Sequence, residues 1–85
     1  MKEIRNQIDT IDKKIIALLG RRFKLVPKLA KLKKKEKLPI QDKKREEEML
    51  SKLQKEAKKQ GIDYKLIKKL YLEILKESRK IQKKE

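Results

Sequence analysis

The chain has no cysteine, no histidine and no tryptophan, only two glycines and two prolines, and three aromatic residues in all. Without cysteine there is neither a disulfide framework nor a thiolate metal site; without histidine there is neither a histidine general base nor a histidine-ligated metal. Most familiar enzyme chemistries are thereby removed. Long apolar runs are missing too: the opening Met1-Lys2-Glu3-Ile4 is unlike a signal peptide, and no segment approaches the roughly 18 apolar residues of a membrane span. A cytoplasmic protein is expected. Acidic residues are few against basic ones, 13 to 28, and the formal net charge of +15 implies anionic partners. Nucleic acid, an acidic membrane surface or a small polyanion would all satisfy that charge.

Apolar residues are also scarce, 36% of 85 residues against 48% charged, enough for one small domain (1–85) with a sparse core. They are nevertheless ordered. Ile4, Ile8, Ile11, Ile15 and Leu18, then Leu25 and Leu29, follow the 4/3 spacing of one helical face. A first helix over about 2–35 is predicted, with Glu3, Asp9 and Asp12 early and lysines late, as the helix dipole favours. At 1.5 Å per residue such a helix runs about 45 Å or more, longer than the rest of the chain can cover. A homodimer sharing one core is therefore expected. Gly20 and Pro27 disturb this helix; Pro27 removes the hydrogen bond to the Phe23 carbonyl at a cost of about 3 kcal/mol and predicts a bend.

Residues 36–41 read as a loop, because Pro39 disfavours helical geometry at Leu38. Asp42 is a suitable N-cap for a second helix over about 43–60, with Glu46, Glu47 and Glu48 near its start and Gly61 as its stop. Its apolar face holds Met49, Leu50, Leu53 and Ala57. Asp63 caps a third helix over about 64–83, whose stripe is Ile67, Leu70, Tyr71, Ile74, Leu75 and Ile81; the tail 83–85 is expected to fray. The fold class is all-α.

Each stripe carries polar residues. Arg22 occupies a slot meant for an apolar residue, and Lys33, eleven residues on, returns to the same face. Arg45 and Glu46 open the face of the second helix, while Ser78 and Gln82 lie on that of the third. Singly, each has an ordinary explanation, since long cationic stems reach water from an apolar surface. Jointly they predict one pocket. Three cations to one acid suit an anion, because a buried cation without a partner is costly, and Glu46 and Gln82 are left for neutral polar atoms.

In this order the residues resemble the all-helical (type II) chorismate mutases: Ile4-Arg5, Ile8-Asp9 with Ile11-Asp12, Leu18-Leu19 leading to Arg22, then Lys33, Pro39-Ile40, Asp42, Arg45-Glu46, Ser78 and Gln82. Isolated pieces such as Arg-Glu carry no weight, whereas the complete ordered set covers nearly the whole chain. Pro27 departs from the family pattern. The resemblance implies an intertwined helical homodimer that converts chorismate to prephenate without a cofactor or metal. By position, Arg5 would enter the partner's site, and Arg5 and Arg22 would grip the two substrate carboxylates, supported by Arg45 and Ser78. Lys33 and Gln82 would donate to the ether oxygen. Glu46, with the backbone near Asp42, would bind the ring hydroxyl, and Leu29 and Leu75 would form apolar walls. Such a rearrangement needs no nucleophile and no proton transfer, so the missing histidine and cysteine present no difficulty.

Three other readings accommodate parts of the sequence. An isochorismate pyruvate lyase would use the same fold and would release pyruvate. A basic helical module for nucleic acid would explain the charge but not the cations on apolar stripes, and Phe23, Tyr64 and Tyr71 are few for base stacking. A purely structural helical dimer would bind no ligand saturably.

Overall fold

The computed structural model describes residues 1–84. They form three helices, α1 (Lys2–Lys35), α2 (Lys43–Gln60) and α3 (Tyr64–Lys83), and no strand. This is the all-α architecture that the 4/3 spacing predicts.

α1 is continuous over 34 residues and passes through both Gly20 and Pro27. Pro27 therefore interrupts the hydrogen-bond ladder without ending the helix. Val26 beside it and Ala30 one turn on are the two buried residues of α1, so tertiary packing holds the segment where propensity is poorest. Pro27→Ala restores one backbone donor and is expected to raise stability by up to about 3 kcal/mol. An unchanged urea midpoint would show that the surrounding structure already absorbs the defect.

α1 and α2 end alike. Leu38 N–H donates to the Lys33 carbonyl (2.7 Å) and Lys37 N–H to that of Lys34 (3.1 Å), with Lys37 left-handed at φ 57°. Ile62 N–H donates to Ala57 (2.9 Å) and Gly61 N–H to Lys58 (3.2 Å), with Gly61 at φ 69°. Both are Schellman turns, which satisfy carbonyls that a helix end leaves open. At the N-terminal ends of α2 and α3, Asp42 Oδ1 accepts from Arg45 N–H (3.1 Å) and Asp63 Oδ1 from Lys65 N–H (3.0 Å), so both predicted caps are in place.

α3 is the element that joins the fold. It packs against both α1 and α2, whereas the backbones of α1 and α2 are not closely packed on each other. The core is small: among the described residues its buried apolar members are Val26, Ala30 and Ala57. Leu70, expected on the α3 stripe, is exposed, because that stripe is wider than the surface the two neighbouring helices cover.

The face of α1 that meets α3 through Val26 and Ala30 continues toward the N-terminus as Ile4, Ile8, Ile11, Ile15 and Leu18. There it is uncovered, with those five side chains 50–62% exposed. The molecule is accordingly elongated, 53 × 24 × 15 Å, with a radius of gyration of 15.6 Å. A compact chain of this length has about 12 Å. Among the described residues no helix is long and apolar enough to cross a membrane.

Candidate active site

Where the C-terminal half of α1 faces α3 and the start of α2, the three helices enclose a cavity of about 400 Å³. α1 contributes Arg22, Val26, Leu29 and Lys33, spaced as one helical face. The loop and first turns of α2 supply Ile40, Asp42, Arg45, Glu46 and Met49, and α3 supplies Leu75, Ser78, Arg79 and Gln82. All the residues singled out in the sequence line this one cavity except Arg5. Arg5 precedes Arg22 by 17 residues, about 25 Å along the axis at 1.5 Å per residue, and lies outside its own chain's cavity.

Ser78 and Gln82, the two polar residues on the α3 stripe, are both buried at 5% exposure. Their role is visible in their bonds. Ser78 Oγ donates to the Ile74 carbonyl one turn back (2.9 Å), which leaves the oxygen to accept from Arg22 Nη1 at 3.1 Å. Gln82 Oε1 accepts from Lys33 Nζ at 3.1 Å, and this assignment turns the amide NH₂ into the remaining donor. Lys33 Nζ also donates to the Ile40 carbonyl at 2.7 Å, tying the loop before α2 to α1. Arg22 Nη2 completes its environment against Met49 Sδ at 3.9 Å.

The partners of Arg22 and Lys33 are thus a hydroxyl, a thioether, a backbone carbonyl and an amide oxygen, all neutral. They orient the two cations and leave the charge itself uncompensated. Arg79 is different: its Nη1 is 3.0 Å from Glu46 Oε1, an ion pair that spans α3 and α2. In total the lining holds four cations, Arg22, Lys33, Arg45 and Arg79, against the two carboxylates of Asp42 and Glu46. The excess of two positive charges matches a dianion.

Arg79, Val26 and Ile40 were not among the candidates that the sequence suggested. Arg79 had a signal, since it follows Leu75 by four and precedes Gln82 by three and so shares their face. Ile40 enters through its backbone carbonyl, for which side-chain identity is no guide.

The arrangement can hold a small dianion between fixed donors with apolar surface on either side, and known proteins bear on that reading. A family model described as chorismate mutase type II matches residues 4–83. The T-protein of Haemophilus influenzae is 36% identical over 78 residues, 92% of this chain and 21% of that protein. The bifunctional chorismate mutase/prephenate dehydratase of Buchnera aphidicola (subsp. Schizaphis graminum) is 41% identical over 80 residues, 94% of this chain and 21% of its own length. This chain therefore spans about a fifth of those two relatives. The chorismate mutase of Methanocaldococcus jannaschii is 30% identical over 83 residues, which cover 98% of this chain and 84% of that one. With the ordered residues of one helical cavity, a family match over nearly its whole length and a relative of its own size, the chain belongs to the type II chorismate mutase family.

Proposed function

We propose that the protein is a cytoplasmic chorismate mutase that converts chorismate to prephenate by an intramolecular Claisen rearrangement. The observation that carries this reading is the pair of cations, Arg22 and Lys33, held on neutral partners in a cavity with an excess of two positive charges. Chorismate offers two carboxylates, an ether oxygen and one ring hydroxyl, and each has a counterpart here. Arg22, supported by Ser78 and Arg45, takes a carboxylate. Lys33 Nζ and the Gln82 amide donate to the ether oxygen. Glu46, near the Asp42 backbone, accepts from the ring hydroxyl, and Leu29 and Leu75 limit the volume open to the substrate.

The rate enhancement has two sources. Binding the flexible enolpyruvyl arm over the ring holds the reacting carbons together, which replaces a search among conformers by a fixed near-attack geometry. As the C–O bond breaks, negative charge grows on the ether oxygen, and donors already in place stabilise it without reorganising. No residue of the chain gives or takes a proton.

The exposed face from Ile4 to Leu18 supports the further reading that a second copy covers it. In an antiparallel pairing of α1 helices the N-terminal half of one chain lies over the helices of the other, and Arg5 enters the partner's cavity as a second carboxylate ligand. The whole chain then serves as one domain of a two-site dimer.

The test is the disappearance of chorismate with purified protein, with the product identified. Saturable formation of prephenate is the expected result; pyruvate release from isochorismate without prephenate from chorismate would overturn the assignment in favour of a lyase. Gln82→Glu probes the ether oxygen directly. An ionised carboxylate cannot donate, and Lys33 Nζ, 3.1 Å from Gln82 Oε1, favours that ionised form. Activity of the variant is expected to appear only as the pH falls far enough to protonate the new carboxyl. A pH–rate profile parallel to that of the parent protein would remove Gln82 from this role.

A further inference from the structure

We propose that Arg79 is a positioning residue that selects for a hydroxyl group on the ligand by fixing one oxygen of Glu46, an inference that rests on the reading of the cavity as a chorismate site. Arg79 lines the cavity yet differs from Arg22 and Lys33 in being committed to a carboxylate, with Nη1 3.0 Å from Glu46 Oε1. The two side chains are 31% and 22% exposed, so the pair is partly withdrawn from water. Glu46 stands in the first turn of α2, and α3 is the element against which α2 packs. The pair therefore ties the wall that carries Glu46 to the helix that carries Ser78 and Gln82.

Two consequences follow from the chemistry of a carboxylate among cations. An ionised carboxylate only accepts hydrogen bonds, so within the cavity Glu46 can recognise only a donor. With Oε1 held by Arg79, Oε2 is the oxygen left for that donor. A dianionic ligand would also repel an uncompensated Glu46, and Arg79 supplies the compensating charge at contact distance. A cation is thus used here to make a carboxylate tolerable beside a dianion. The ligand group it serves is a hydroxyl, of which chorismate has one.

Arg79→Met keeps much of the aliphatic stem and removes the charge. It is expected to lower the preference for chorismate over an analogue lacking the ring hydroxyl about tenfold, the scale of one charge-assisted hydrogen bond at a partly exposed site. The loss should fall on KM for chorismate, with kcat changed less than about threefold because the ether-oxygen donors are untouched. Arg79→Lys retains a cation within reach of Glu46 and should recover most of the preference. The decisive comparison places Arg79→Met in a Glu46→Gln background, where its effect on the preference should vanish. An equal effect in both backgrounds would mean that Arg79 acts otherwise than through Glu46. An unchanged preference in a variant with parental helicity and melting temperature would equally overturn the proposal. Failure of the parent protein to convert chorismate would instead sink the functional reading beneath it, and so the two failures are distinct.

Discussion

Arg22→Ala is expected to reduce kcat/KM for chorismate by about 10²–10³ or more, equivalent to the loss of about 3–4 kcal/mol of transition-state stabilisation. The structure makes this loss separable from any loss of folding. Ser78 Oγ, the hydroxyl partner of Arg22, donates to the Ile74 carbonyl and keeps that bond when the guanidinium is gone. Met49 Sδ loses only a weak acceptor contact at 3.9 Å. No buried polar group is orphaned, so the large cost of an unsatisfied group does not arise. Steady-state kinetics beside circular dichroism provide the check. A variant that keeps its helicity and loses activity places Arg22 on the substrate; a variant with parental activity would detach the cavity from the chemistry altogether.

The second large effect is on assembly. Ile8→Asp combined with Ile15→Asp puts two charges on the uncovered face of α1, where each isoleucine is 50% exposed in the single chain. If a second copy buries that face, the half of each isoleucine still exposed contributes about 0.8–1.5 kcal/mol on burial, and a symmetric dimer loses four such contributions at once. The total, on the order of 3–6 kcal/mol before the cost of burying four carboxylates, is comparable with the stability of a small domain. The double variant is expected to sediment as a monomer, to lose most of its helical signal and to show no activity. Retention of the parental mass and activity would exclude this face as the interface.

The sequence made some features legible because they depend on local physics. Arg22 and Lys33 stand out because a cation on an apolar stripe breaks a pattern of period 3.6, and both line the cavity. Asp42, Asp63 and Gly61 announce helix ends through capping and through tolerance of positive φ. Lys37 adopts the same left-handed turn as Gly61 without announcing it, because a lysine there carries a small strain that only the completed turn repays. Val26 and Ala30 were hidden for another reason. The apolar stripe from Ile4 to Leu18 resumes at Leu25 and Leu29 rather than at Val26 and Ala30, and which flank is buried within the chain depends on where α3 lies across it. The ion pair of Arg79 with Glu46 joins residues 33 apart in sequence. No local rule reaches that far.

The buried alanines carry a consequence for the evolution of the site. Ala30 on α1 and Ala57 on α2 are buried small side chains on the two helices that pack against α3, and neither lines the cavity. The distance between packed helices follows the size of the residues at the contact. By that rule two methyl groups outside the cavity lining help to set how far its walls stand apart. Enlarging either would move the Arg22–Lys33 wall or the Glu46 wall outward while every polar group stayed the same. Tolerance for a bulkier or slimmer ligand can therefore drift in such a lineage through its spacers alone.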